Sequence, residues 1–115
     1  MRNLLFSFCL ATLFCSCGGK DYEYATQLFD LYDQVVEQYE DAESIEQLDT
    51  IRKTAFEGYQ RIEKEQEASH NEFNKDIEQY DEDAYLLHLD LLTAESHAQW
   101  LYNKRKHELE QKDKK

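Results

Sequence analysis

The chain has 115 residues, 13 basic and 25 acidic, giving a formal net charge of −12, and it contains no proline. That acidity excludes a body built to bind nucleic acid or an anionic membrane face, and the length allows one domain with one modest core. All three cysteines, Cys9, Cys15 and Cys17, lie near the N-terminus, which excludes a disulfide framework or thiol metal centre in the rest of the chain.

The chain opens on Arg2, a short positive head, followed by the uncharged run Leu4 to Phe14, interrupted only by Ser7 and Thr12. A bilayer span needs about 20 apolar residues, whereas a signal-peptide core needs about 7–15, so this run reads as an export signal. Small residues follow at Ser16, Gly18 and Gly19, and from Lys20 onward the composition turns polar and stays so.

The segment Phe14-Cys15-Ser16-Cys17 resembles the lipobox of bacterial lipoprotein precursors, whose usual form is Leu, a small residue, Ser, Gly or Ala, then Cys. Phe14 stands where Leu is usual, and Cys15 fills the small-residue position. The resemblance covers residues 1 to about 19. It implies a signal peptide over 1–16, cleavage between Ser16 and Cys17, and diacylglycerol on the Cys17 thiol, with the new amino group open to acylation. The thiolate is the nucleophile such chemistry requires, and two or three acyl chains anchor far better than one. The implied location is the bacterial cell envelope, on a membrane through the lipid. Residues 17–21 would then be the lipidated cysteine and a short tether. The alternative is plain signal cleavage after Gly18, with Ser16 and Gly18 as the small pair.

After the tether, Gly58 is the single glycine, and Glu, Gln, Lys, Leu and Ala abound. These residues favour helix, and the turn signals of a strand protein are missing, so the expected class is all-α. The first helix is expected over about 22–42. Ala25, Leu28, Tyr32, Val35, Tyr39 and Ala42 recur at threes and fours, with Phe29, Leu31 and Val36 widening the apolar face. Ser44-Ile45-Glu46-Gln47 matches a capping box and starts a second helix over about 45–67, with Leu48, Ile51, Ala55, Tyr59 and Ile62 inward. Gly58 inside that helix suggests close approach of a bulky neighbour such as Trp100, or a tolerated weakness.

Ser69-His70-Asn71-Glu72 repeats the capping-box pattern and places the next turn near Ser69. The alternative is a longer second helix turning at Asp81-Glu82-Asp83, whose acids suit a helix start. With the first choice a third helix runs over about 70–110, its rhythm carried by Phe73, Ile77, Tyr80, Ala84, Leu87, Leu91, Ala94, Ala98 and Leu101. A second row, Tyr85, Leu89 and Leu92, sits beside it, and a helix apolar over that much of its circumference needs two partners. Short connections then give a small three-helix up-down-up bundle over 22–112, with coiled-coil-like heptads and a frayed tail at 113–115. The second apolar row also leaves room for a homo-oligomer.

Residues 21–99 hold 22 acids against five bases, while the tail from Lys104 has six bases and three acids. This suits solubility, or a basic protein partner, and gives no nucleic-acid role. Glu67-Ala68-Ser69-His70 has the Glu-x-x-His spacing of di-iron bundles, which need two such motifs and two further glutamates, so no metal site is expected. His88 and His97 are out of phase on their helix. The serines Ser44, Ser69 and Ser96 lack an elbow or oxyanion loop, and no glycine-rich phosphate loop exists, so neither catalysis nor a cofactor is expected. Of the eight tyrosines, Tyr32, Tyr39, Tyr59 and Tyr80 fall on core stripes. Tyr22, Tyr24 and Tyr102, with Trp100, are the candidates for an exposed contact surface. The sequence therefore points to a non-enzymatic, lipid-anchored acidic helical module for interaction or structure. The alternatives are an inhibitor or immunity-type protein against a basic toxin or envelope enzyme, and a helical metal-binding protein centred on His70.

Overall fold

The computed structural model describes residues 22–113, so Ser16, Cys17, the signal segment and the tether lie outside the described residues. Four helices follow in order: α1 Glu23–Asp41, α2 Ile45–Glu65, α3 Glu67–Glu78 and α4 Glu82–Asp113. There is no strand among the described residues. The all-α reading holds, but the bundle has four helices, not the three expected.

The departure lies between 66 and 81. Gln66 leaves helical geometry (φ −110°, ψ 34°) and separates α2 from α3 by a single residue. Because Gln66 N still donates to the Ile62 carbonyl and His70 N to the Gln66 carbonyl, the backbone bends there without reversing. The reversal comes at Gln79–Asp81, close to the second of the two turn positions the sequence allowed. Tyr80 N donates to the Ile77 carbonyl and Asp81 N to the Asp76 carbonyl, the paired bonds of a Schellman ending, and Tyr80 takes the left-handed φ of 61°. The apolar rhythm through Phe73, Ile77, Tyr80 and Ala84 therefore does not mark one continuous helix. Tyr80, assigned to the core by that rhythm, is 91 % exposed.

Each helix start has its own solution. Gln47 N donates to Ser44 Oγ at 3.1 Å, and Gln47 Oε1 reaches back to Glu43 N at 2.6 Å, so the first capping box forms with its return bond one residue earlier than the standard pattern. Asp81 Oδ2 accepts from Ala84 N at 3.0 Å and starts α4. Ser69 lies inside α3 and caps no turn of its own. Its hydroxyl accepts from Tyr24 N at 3.1 Å, satisfying an amide of α1, whose preceding residue Tyr22 offers no side-chain cap.

Two apolar clusters hold the bundle, and each draws on both α1 and α4. The first joins Tyr24, Ala25 and Leu28 of α1 to Phe73 of α3 and to Ala84 and Leu91 of α4. The second joins Val35 and Tyr39 of α1 to Leu48 of α2 and to Leu101, Tyr102 and Leu109 of α4. The start of α1 meets the start of α4 and the two ends also meet, so α1 and α4 run parallel, with α2 and α3 as the bent return leg. Gly58 is buried against Leu31, whose Cδ1 lies 3.2 Å from where a Cβ would stand, and not against Trp100.

Candidate functional site

The core side of α4 is Ala84, Leu91, Ala98, Leu101, Tyr102 and Leu109, all buried. At 100° per residue, the line opposite it carries Glu82, Tyr85, Leu86, Leu89, Thr93, Ser96, Trp100 and Lys104. The large apolar members of this line are open: Tyr85 49 %, Leu86 51 %, Leu89 40 % and Trp100 56 %, with Leu92 beside them at 46 %. Between Glu82 and Lys104 the line bears no charge, although charged residues make up 33 % of the chain. Scattered exposed leucines are ordinary; a contiguous uncharged strip about 22 Å long, with an acid beyond one end and a base beyond the other, is a candidate interaction surface. Asp83, Asp90 and Glu95 are exposed elsewhere around the helix.

Trp100 is anchored on this strip. The His97 ring stacks on it with centroids 6.0 Å apart, and the Lys104 ammonium sits 5.3 Å from its centroid. A semi-fixed indole with a cation beside it is the kind of residue that dominates binding energy at interfaces.

The other three residues expected at a contact surface are internal. Tyr22, Tyr24 and Tyr102 are 3 %, 5 % and 4 % exposed. Tyr22 packs on Phe73 at 4.9 Å, and its hydroxyl donates to Asp76 Oδ2 at 2.6 Å. Tyr24 stacks flat on His70 at 4.0 Å. Tyr102 meets Tyr39 edge-on at 5.5 Å, lies under the Arg52 guanidinium at 4.8 Å, and donates to Asp49 Oδ1 at 2.6 Å. The phenols of Tyr22 and Tyr102 are satisfied by carboxylates on neighbouring helices, an arrangement that no single-helix periodicity reveals. Tyr22 and Tyr102 thus serve as struts between helices, and Trp100 alone of the four candidates stays on the surface.

A cleft of about 220 Å³ opens among the helices next to the strip, lined by Tyr24, Tyr32, Tyr59, His70, His88 and Glu95 among others. Burial pushes the Tyr24 phenol far up, with a hydrogen bond to Tyr59 adding to the effect. Burial, then the nearby Glu95 charge, pushes Tyr32 up to about 12. These phenols stay neutral across the physiological range, and none is poised as a base. His70, central to the metal reading, is engaged with Tyr24, and His88 faces Phe73 at 6.4 Å. Among the described residues no three histidine, cysteine or acidic side chains converge to hold a metal ion. No helix among them is long and apolar enough to cross a membrane.

A comparison with known protein families, with curated proteins and with solved structures finds no match to this chain.

Proposed function

We propose that this chain is a non-enzymatic lipoprotein of the bacterial cell envelope, in which an acidic helical bundle, held to a membrane through Cys17, acts as a protein-interaction module. The observation that carries the interaction reading is the uncharged exposed strip of α4, from Tyr85 to Trp100, on an otherwise densely charged domain. The anchor rests on the lipobox-like segment ending at Cys17 and on the lack of any later cysteine that would give this thiol a disulfide partner. The experiment is Cys17→Ser in a bacterial host. Membrane fractionation and the N-terminal mass of the mature chain should show loss of processing at Ser16 and release from the lipid phase. A variant that is still processed there and still membrane-bound sinks the anchor.

Charge supports a second reading. The 22 acids against five bases over residues 21–99 suit an inhibitor or immunity-type protein that neutralises a basic toxin or envelope enzyme. Its partner would be captured from envelope extract at low salt and released at high salt. Capture of no basic protein, or capture indifferent to salt, rejects it.

A further inference from the structure

We infer that the α4 strip pairs with the same strip of a second copy, antiparallel, about a two-fold axis at Thr93. This names the partner of the surface proposed above and rests on that reading. The argument is the order of residues along the strip. A two-fold through residue 93 brings Glu82 of one copy to Lys104 of the other, Leu86 to Trp100, and Leu89 to His97, with Thr93 facing its own equivalent. Leu86 then meets an indole and Leu89 an imidazole ring, and each end closes on an opposite charge. The parallel pairing instead stacks Glu82 on Glu82 and Lys104 on Lys104, and like charges in register are unfavourable.

Because α1 runs parallel to α4, the two α1 starts lie at opposite ends of such a pair. With both tethers in one membrane the pair lies lengthwise along the surface, its two-fold axis upright.

The test is cross-linking of the full chain in membranes with a short bis-maleimide, the unsubstituted chain setting the background. Thr93→Cys should link to itself as a dimer. Glu82→Cys and Lys104→Cys should each fail to self-link, because in the antiparallel pair each lies about 33 Å from its equivalent. Co-expressed, those two variants should link to one another. Charge reversal adds a second readout on Thr93→Cys: Glu82→Lys or Lys104→Glu alone should lower the dimer band severalfold, and the two together should restore it. Self-linking at both 82 and 104 overturns the antiparallel register. A Thr93→Cys adduct with a different protein overturns the second copy while leaving the strip an interaction surface. No adduct at any strip position overturns both readings.

Discussion

The phenol of Tyr22 donates a 2.6 Å hydrogen bond to a carboxylate oxygen of Asp76, tying the entry to α1 to the last turn of α3 across 54 positions of sequence. Both groups are buried. Tyr22→Phe keeps the ring packing on Phe73 and removes only the donor, so it should cost about 1–3 kcal/mol, the range for withdrawing a partner from a buried polar group. Asp76→Asn, which retains an acceptor oxygen, should cost less. Urea unfolding of the two variants checks the order, and a Tyr22→Phe chain as stable as the parent rejects the strut.

The buried tyrosines set an alkaline limit. Burial raises the Tyr22 phenol, with its hydrogen bond to Asp76 and that group's charge adding to the rise. Tyr24 and Tyr32 are raised as described, and Tyr39 is raised by burial against the opposing pull of Arg52. In the unfolded chain tyrosine ionises near pH ~10. Below that pH both states hold the proton and stability is complete. Above it the unfolded chain loses protons first, and stability falls by up to about 1.4 kcal/mol per pH unit for each such tyrosine. Helical circular dichroism and tyrosinate absorbance should therefore change together, cooperatively, as pH climbs from 10 toward 12. Full tyrosine ionisation with the helices intact would contradict this.

Tyr80 occupies the left-handed position that ends α3, where a Cβ is disfavoured and glycine is the common choice. Its side chain is almost wholly in solvent, so little packing is lost on removing it. Tyr80→Gly should raise stability by about 0.5–1 kcal/mol, and Tyr80→Val, with a branched Cβ, should lower it. Thermal unfolding of the pair decides, since the two substitutions must move the midpoint in opposite directions.

Arg105 Nε and Nη2 both donate to the Ala42 carbonyl, at 3.1 and 2.6 Å, closing the C-terminal end of α1 from the far end of α4. The last turn of α1 has no basic residue of its own and carries Glu40 and Asp41, the wrong sign for that end of a helix dipole. Arg105→Ala should cost about 1–3 kcal/mol. Arg105→Lys keeps the charge without the fork and should recover less than half of it. Equal stability of the lysine variant and the parent would show that charge alone matters.

The apolar face of α1 was legible because one helix turn repeats it: Ala25, Leu28, Val35, Tyr39 and Ala42 are all buried where the spacing put them. Ser44 was legible because a capping box is a local pattern. The break at Tyr80 was hidden by two things: the residue is not glycine, and the heptad rhythm passes through it without a gap. Ser69 misled for a related reason. A hydroxyl fit to cap its own turn serves a helix start 45 positions away, and such a bond leaves no local trace. The contact surface was read in two halves. Tyr85, Leu89 and Leu92 form the second row that the spacing shows, but the bundle leaves that row exposed instead of covering it with a second partner, and three aromatic residues outside clear stripes were assigned to the surface when each had a distant partner. Trp100 is exposed, as a contact residue must be, and its neighbours Leu86 and Thr93 gain meaning only once the buried side of α4 is known.

The parallel course of α1 and α4 also governs when the chain becomes a folded object. Both core clusters close through residues of α4, and α1 receives its terminal cation from Arg105. Synthesis runs from the N-terminus, so a chain extended to Tyr80 holds the α1, α2 and α3 residues of both clusters yet lacks the α4 residues that complete them. Its decisive contacts are non-local and arrive last. For the exported precursor proposed above, this delays closure until the final helix has emerged, leaving an open chain throughout the interval in which a translocation machinery must capture and thread it.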